Sequence, residues 1–175
     1  MDENIGDLMK YFAYGSNMSL LRLQERVPSA KKLEVVTLKN HQLRFHMSST
    51  DGSGKCDAFQ TNNCEDKVVG VLFEINKSEK IILDQAESLG VGYDEKCVFV
   101  QNKTGEIFEA LIYFALKIDT SLKPYSWYLN HVVIGAKETN LQTDYLALIE
   151  SVECVEDPDK IREAKELAMY NKQVV

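Results

Sequence analysis

The chain has 175 residues, with 45% hydrophobic and 27% charged residues, values typical of one globular domain with a substantial core. Its formal net charge of −7 argues against nucleic acid or an anionic membrane surface as the main partner. No segment approaches the roughly 20 apolar residues of a membrane span, and the acidic residues 1–4 are not typical of a signal peptide. We therefore expect a cytoplasmic protein that binds neither nucleic acid nor membrane.

In chain order, the first predicted element is an apolar, aromatic strand that ends in Gly15-Ser16-Asn17. A helix over residues 19–27 follows, beginning at a capping-type serine and stopping before Pro28. Residues 43–47 alternate between apolar and polar side chains, as in a half-buried strand. The polar, Gly-rich residues 48–57 are predicted to form a mobile loop.

The middle of the chain is again predicted to contain strands and a helix. Residues 69–75 alternate as a second half-buried strand, and a helix over residues 78–87 is predicted to begin at Ser78 and end near Gly90. Residues 97–100 and 107–116 form a hairpin around the turn 102–105, where Gly105 can take a positive φ. The second of these strands is apolar on both faces, which predicts a central, covered strand.

The C-terminal third is predicted to be helical. Pro124 opens a helix over residues 125–134, and two more helices after Thr143 are separated by Asp157-Pro158. This order of elements predicts an α+β fold on a strongly curved sheet. We expect a single domain over residues 1–175, with a core at about 9–150 and a helical extension at about 151–175.

Several common chemistries are excluded by spacing. Gly15-Ser16-Asn17 lacks the G-x-S-x-G pattern of a nucleophile elbow, and Gly54-Lys55 lacks the rest of a phosphate loop. The four cysteines form no C-x-x-C pair and, with three scattered histidines, give no zinc spacing, so they are predicted to be small, reduced core residues. His131, among apolar neighbours, is predicted to be structural. We expect no metal and no cofactor.

Three stretches give the chain a recognisable pattern. They are YFAYGSN at residues 11–17, LDQAE at 83–87 after Asn-Lys-Ser, and YLNHVVIGAKE at 128–138. Together they resemble the γ-glutamylcyclotransferase family over residues of about 10–148. The resemblance implies a small mixed β-barrel with flanking helices, and an enzyme that cleaves γ-glutamyl amino acids to 5-oxoproline and a free amino acid. It also implies a homodimer.

The resemblance further implies the site residues. Glu87 becomes the general acid/base, and the substrate contacts become Tyr11, Phe12, Ala13, Tyr14, Gly15, Ser16, Tyr93 and Tyr128. The partner is then a small γ-glutamyl substrate whose own α-amine attacks its γ-carbonyl, so that no serine or cysteine nucleophile is needed. Backbone N–H groups at residues 14–16 are suited to hold the developing oxyanion.

Glu87 is the uncertain point of this prediction. A glutamate at its ordinary pKa of about 4.3 is a poor base for an α-amine near 7.7–8, so we predict that Glu87 is desolvated. Helical periodicity alone predicts the opposite, because Glu87 lies off the stripe of Ile82, Ala86 and Leu89. Asp84, one turn earlier, is the rival carboxylate.

Alternatives remain open for the substrate. Ser88 replaces the usual glycine after the glutamate, and the spacing from Glu87 to Tyr93 is one residue shorter than in the animal enzymes. Both changes affect the loop over residues 88–92, which is expected to line the leaving-group side. The alternatives are a γ-glutamylamine, a γ-glutamyl group on a carrier protein, glutathione, or a non-catalytic ligand-binding barrel of the same fold.

Overall fold

The computed structural model describes residues 7–173, so the acidic N-terminal lead and the end of the expected C-terminal extension lie outside it. The strands are β1 Leu8–Ala13, β2 Lys31–Lys39, β3 His41–Ser48, β4 Gly54–Gln60, β5 Lys67–Asn76, β6 Tyr93–Gln101 and β7 Ile107–Ala115. The helices are α1 Leu20–Arg26, α2 Lys80–Ala86, α3 Ser126–Glu138, α4 Thr143–Glu150 and α5 Lys160–Ala168. Within residues 7–173, no helix is both long and apolar enough to cross a lipid bilayer.

Five strands close into a barrel in the order β1-β5-β2-β6-β7, and β3 and β4 form a separate two-stranded sheet. The barrel closes where β1 runs parallel to β7, with Tyr11 opposite Leu111, while its other pairs are antiparallel. Phe12, Phe73 and Ile112 are completely buried in the core. The predicted α+β fold with a small mixed barrel and flanking helices is confirmed.

Two strands differ from their predicted burial. β5 is buried along both faces rather than one, because one face points into the closed barrel and β3 of the second sheet also contacts the strand. β7 was predicted to be covered throughout, but Ile107 is 63% exposed and only its second half is buried. The reason is that β1 meets β7 only at Leu111, so the hairpin end of β7 lacks a second neighbour.

The helix boundaries follow the sequence signals closely, with two corrections. Ser19 caps α1 by accepting a hydrogen bond from the N–H of Arg22, and the helix ends before Pro28, as predicted. Ser78 does not cap α2, because a 3₁₀ turn at Lys77–Glu79 precedes that helix. α3 continues to Glu138, one turn beyond the predicted end.

The prediction of a mobile loop at residues 48–57 is wrong in its second half. Residues 54–57 begin β4 and are buried there. Lys55 is buried because its Nζ donates to Asp51 at 2.7 Å and lies 4.5 Å from the ring centroids of Trp127 and Tyr128. Composition alone does not reveal such partners, which lie on a distant helix.

The cysteine prediction holds for one residue of four. Cys56 is buried, whereas Cys64, Cys97 and Cys154 are exposed, and all four are free thiols. His131 is completely buried and hydrogen-bonded to Glu166 at 2.9 Å and to Tyr170 at 2.6 Å, which confirms its structural reading.

Candidate functional site

The site begins where β1 ends. Ala13 leads through Tyr14 and Gly15 into a 3₁₀ turn at Ser16–Met18. Gly15 has an ordinary φ of −120°, but a Cβ at this position would lie 2.9 Å from Cys56 Cβ. The close approach of this turn to β4 therefore requires a glycine.

Three backbone N–H groups of this turn have no backbone acceptor among residues 7–173. Within the described residues, residues 15, 16 and 17 donate none of the backbone hydrogen bonds found in turns and loops. The first N–H groups of a helical turn have no acceptor inside that turn and so remain available to a ligand. The same residues line a recess in the surface.

Helix α3 supports the turn from behind. A Cβ on Gly135 would lie 2.5 Å from the backbone N of Ser19, so the glycine of the Gly-Ala-Lys-Glu run allows α3 to pack against the turn. One face of α3 carries Tyr128, whose hydroxyl accepts a hydrogen bond from the N–H of Cys56 at 3.0 Å. Tyr93 donates to the carbonyl of Cys56 at 2.6 Å. The two tyrosines thus hydrogen-bond to the N–H and the C=O of the same β4 residue.

Glu87 terminates α2, and its side chain points toward the turn at residues 14–17, which is called the corner below. Its Oε1 accepts a hydrogen bond from Asn17 Nδ2 at 2.8 Å and lies 3.4 Å from an Arg26 guanidinium nitrogen. Asn17 Nδ2 also donates to the Tyr11 hydroxyl at 3.1 Å. The Glu87 side chain is only 15% exposed. The predicted burial is thus confirmed, and the exposed position predicted by helical periodicity is wrong.

Burial dominates the electrostatics of this carboxyl. It raises the pKa of Glu87 above the ordinary glutamate value, while the Arg26 charge and the Asn17 hydrogen bond oppose the shift. A raised pKa makes the carboxylate a stronger base, and perturbed acids in clefts are typical of functional sites.

Cys56 lines the recess and carries a potentially nucleophilic thiol, but its environment argues against this role. Burial raises the pKa of its thiol to about 12. Since the thiolate is the reactive form, this cysteine is a packing residue. Within residues 7–173, no group of three or more histidine, cysteine, aspartate or glutamate side chains could hold a metal ion.

Two connected cavities meet at Glu87. The inner recess, of about 30 Å³, is lined by Tyr11, Tyr14, Gly15, Ser16, Asn17, Cys56, Glu87, Tyr93, Tyr113 and Tyr128. The outer chamber, of about 170 Å³, shares Ser16, Glu87, Tyr93 and Tyr128 with it. The chamber adds Arg22, Arg26, Lys55, Lys117 and the loop residues Ser88, Val91 and Gly92.

The structure brings together most of the residues predicted to form the site. Phe12 and Ala13 are the exceptions, because they line neither cavity and are buried in the core. Asp84, the rival carboxylate, also lines neither and is bonded to Lys80 and Tyr113.

Sequence reasoning missed several residues of the site, namely Asn17, Arg22, Arg26, Lys55, Cys56 and Tyr113. Asn17 lies inside the quoted heptamer and could have been assigned with its neighbours. Arg22 and Arg26 are four residues apart on α1, a spacing that places both on one helix face. Lys55 and Tyr113 carried no signal, since only the folded chain brings them to the chamber and the recess.

Comparisons with known proteins match this architecture. Residues 67–149 match the model of the AIG2-like family. The chain is 30% identical to the gamma-glutamylcyclotransferase of Bos taurus, over 90% of this chain and 86% of the bovine protein. It is 31% identical to that of Homo sapiens, over 87% of this chain and 83% of the human protein.

Solved structures agree. A gamma-glutamyl cyclotransferase structure superposes with a TM-score of 0.85 at 28% identity, over 94% of this chain and 99% of the other. An uncharacterized Homo sapiens protein superposes with a TM-score of 0.84 at 28% identity, over 93% and 98%. The identity to these relatives extends over most of the chain, and the residues that match the family model include α2 and α3. The chain belongs to the γ-glutamylcyclotransferase family.

Proposed function

We propose that this chain is a γ-glutamylcyclotransferase that converts γ-glutamyl amino acids into 5-oxoproline and a free amino acid, with Glu87 as its general acid/base. The observation that carries the proposal is the buried Glu87 carboxylate, held 2.8 Å from Asn17 immediately after the Gly-Ser corner. Family membership supports the reaction class. A ligand-binding barrel would have no need for a desolvated carboxylate, which is costly to bury.

The reaction needs no covalent intermediate. The α-nitrogen of the substrate forms a bond to its own γ-carbonyl carbon, and the amide bond to the departing amino acid breaks. Holding the glutamyl chain in a folded conformation supplies an effective molarity of up to roughly 10⁵–10⁸ M. The tyrosines of the inner recess are suited to shape that fold, and the buried, unreactive Cys56 thiol is consistent with it.

Glu87 transfers the proton in this scheme. It removes a proton from the α-amine as the ring closes, and it returns a proton to the departing nitrogen as the amide bond breaks. Its raised pKa narrows the gap to the amine, and general acid/base groups of this kind contribute about 10²–10⁴-fold to the rate. Asn17 and Arg26 hold the carboxylate in position.

The backbone N–H groups at residues 15–17 are placed to stabilise the oxyanion that forms during ring closure. Negative charge develops on the γ-carbonyl oxygen, and unpaired backbone donors at residues 15–17 lie beside Glu87 in the same recess. Donors of this kind stabilise a transition state by about 3–4 kcal/mol each. The catalytic role of Glu87 and the substrate contacts of Tyr11, Tyr14, Gly15, Ser16, Tyr93 and Tyr128 are part of the proposal, whereas Phe12 and Ala13 are left out because they are buried in the core.

The remaining expectations are proposals of the same kind. Three exposed free thiols support a reducing, cytoplasmic location. A single domain, the absence of a metal or organic cofactor, and a homodimer remain predictions. Light scattering coupled to size-exclusion chromatography measures the molar mass in solution and so tests the homodimer directly.

The test of the proposed function is product formation. Purified protein incubated with γ-glutamyl-alanine is expected to release 5-oxoproline and alanine in equal amounts, measured by mass spectrometry. The matched control is Glu87→Gln, which retains the side-chain shape and an acceptor for Asn17. If both proteins are folded and release 5-oxoproline at equal rates, the role of Glu87 as general acid/base is rejected. If the wild-type protein gives no product, the proposed activity is rejected.

A further inference from the structure

The outer chamber has a charge that the ring-closing chemistry does not explain. Four cationic residues line it, Arg22, Arg26, Lys55 and Lys117, against the single carboxylate of Glu87. Arg26 lies beside Glu87, and Lys55 is bound by Asp51 at 2.7 Å. Lys117 is at the exposed rim. Arg22 and Lys55 are the buried cations, and each is paired with a carboxylate outside the chamber lining, Glu166 and Asp51. The Lys55 Nζ also donates to Ser53 and lies over the rings of Trp127 and Tyr128, whereas the guanidinium of Arg22 has further donors in a geometry that matches a carboxylate.

Arg22 is held from behind by the C-terminal helix. One nitrogen, Nη1, donates to Glu166 of α5 at 2.8 Å and lies 3.2 Å from His131 Nε2. The side chain is only 9% exposed, and its Nε has no hydrogen-bond partner among the described residues. Nε is sealed from the cavity, so it is not the atom that a ligand meets. Both guanidinium contacts are made by Nη1, which leaves Nη2 as the donor for a ligand in the chamber that Arg22 lines, and carboxylates are ligands that a guanidinium favours.

We propose that Arg22 binds the carboxylate of the departing amino acid and so selects γ-glutamyl amino acids over γ-glutamylamines. The inference rests on the proposed cyclotransferase function. Its geometric basis is the arrangement of the two cavities, which meet at Glu87, with the signature corner lining the inner recess and Arg22 lining the outer chamber. The recess, of about 30 Å³, is too small for a whole glutamyl group, so a substrate bound against the turn at residues 15–17 and Glu87 also occupies the chamber, where Arg22 is part of the lining.

The C-terminal helix acquires a role in this arrangement. The hydrogen bond from His131 and the nearby Arg22 charge lower the pKa of Glu166 to about 2, so it remains ionised and keeps the guanidinium oriented. Glu166 contacts Nη1, which leaves Nη2 for a ligand in the chamber. The sequence resemblance does not reach α5, so the structure alone connects this helix to the chamber.

The test compares two substrates that differ in one group. γ-Glutamyl-ethylamide equals γ-glutamyl-alanine with a hydrogen in place of the carboxylate. Because a charge-assisted hydrogen bond is lost with that group, the wild-type kcat/KM is expected to be about 10- to 100-fold lower for the ethylamide. Arg22→Gln is expected to lower kcat/KM for γ-glutamyl-alanine by a similar factor and to leave that for the ethylamide within about 3-fold.

The controls separate this proposal from charge and from folding. Lys117→Gln removes an exposed rim charge and should keep the ratio between the two substrates within about 2-fold of the wild type, since exposed charges are screened. Arg22→Lys retains the charge and should keep part of the discrimination. If Arg22→Gln does not fold, the proposal is tested by the ratio of kcat/KM for γ-glutamyl-alanine to kcat/KM for the ethylamide, measured in Arg22→Lys and in the wild type.

The two possible failures are distinct. If the wild type releases 5-oxoproline from both substrates at equal kcat/KM, or if Arg22→Gln lowers both by the same factor, the assignment of Arg22 is overturned while the cyclotransferase function stands. If neither substrate yields 5-oxoproline, the function itself is rejected, and the assignment with it.

Discussion

Helix α2 and the residue after it carry two carboxylates that face different regions of the molecule. Asp84 forms an ion pair with Lys80 at 2.8 Å and accepts a hydrogen bond from Tyr113 at 2.5 Å. Glu87, three residues later, turns to the corner after β1 and meets Asn17 and Arg26. Asp84 has a cation at hydrogen-bond distance one turn away, Lys80, which it shares with Glu95. Glu87 is 3.4 Å from an arginine nitrogen that also donates to Asn17 Oδ1.

The difference shows that partners, rather than position along a helix, decide what a carboxylate can do. An i,i+4 ion pair such as Lys80–Asp84 contributes about 0.3–0.5 kcal/mol and belongs to the ordinary stabilisation of a helix. Burial without a close, dedicated cation raises the pKa of Glu87 and leaves the carboxylate facing a cavity. The predictions below test whether the two carboxylates differ as much in function as in surroundings.

The largest effect is expected for Glu87→Gln. The amide keeps an oxygen for Asn17 but cannot exchange a proton, so kcat for 5-oxoproline release should fall about 10²–10⁴-fold. The measurement is the initial rate with saturating γ-glutamyl-alanine, followed by mass spectrometry.

The same variant should not lose stability. The folded-state pKa of Glu87 is raised, so the folded protein holds this proton more tightly and is disfavoured once the pH rises above that pKa. Glutamine removes this cost, and thermal unfolding at pH 8 should occur at the same or a higher temperature than in the wild type. A protein that is both inactive and strongly destabilised would indicate a structural role instead.

The next largest effect is expected for Gly15→Ala, which separates the corner from β4. The added Cβ would lie 2.9 Å from Cys56 Cβ, and the resulting shift should lower kcat/KM by roughly 10- to 100-fold, because small misplacements of catalytic groups are costly. Overpacking should also destabilise the protein by about 1–3 kcal/mol.

Gly105→Ala provides the matched control for this variant. Gly105 has a φ of +91° in the β6–β7 turn, outside both cavities, so alanine there is strained without affecting the site. It should lower the unfolding temperature and leave kcat/KM unchanged. If both variants lose activity in proportion to stability, the close approach at Gly15 has no special part in catalysis.

A smaller effect, in pH rather than in maximal rate, is expected for Arg26→Gln. The Arg26 charge holds the pKa of Glu87 down against burial, so removing it should raise that pKa further. The acid limb of kcat/KM should therefore begin above the ordinary glutamate value in the wild type and move to still higher pH in the variant. A pH–rate profile measures both. If the acid limb does not move in the variant, a group other than Glu87 is responsible for it.

The smallest effect is expected for Asp84→Asn. The asparagine oxygen can still accept from Tyr113, and the lost ion pair with Lys80 is worth only a few tenths of a kcal/mol. We expect kcat/KM within about 3-fold of the wild type. A loss as large as that of Glu87→Gln would remove the distinction between the two carboxylates.

Much of the fold could be predicted because its signals are local. Ser19 as a cap, Pro28 as a stop, and Gly105 in a hairpin turn each act through the backbone of a few neighbouring residues. These features survived into the structure. The burial of β5 and β7 was predicted less well, since it depends on which strands close the barrel.

The order of elements and the turn after β1 could be predicted from the amino-acid sequence, and the resemblance to a family pointed to Glu87. Three features follow only from the folded chain: Glu87 is 15% exposed, Lys55 packs under the rings of α3, and Arg22 lines the chamber with α5 packed against it. Periodicity describes how apolar residues are distributed on one element. The surroundings of a polar side chain depend on residues tens of positions away, such as Asn17 for Glu87 and Glu166 for Arg22, and those meet only when the barrel closes and the helices pack against it.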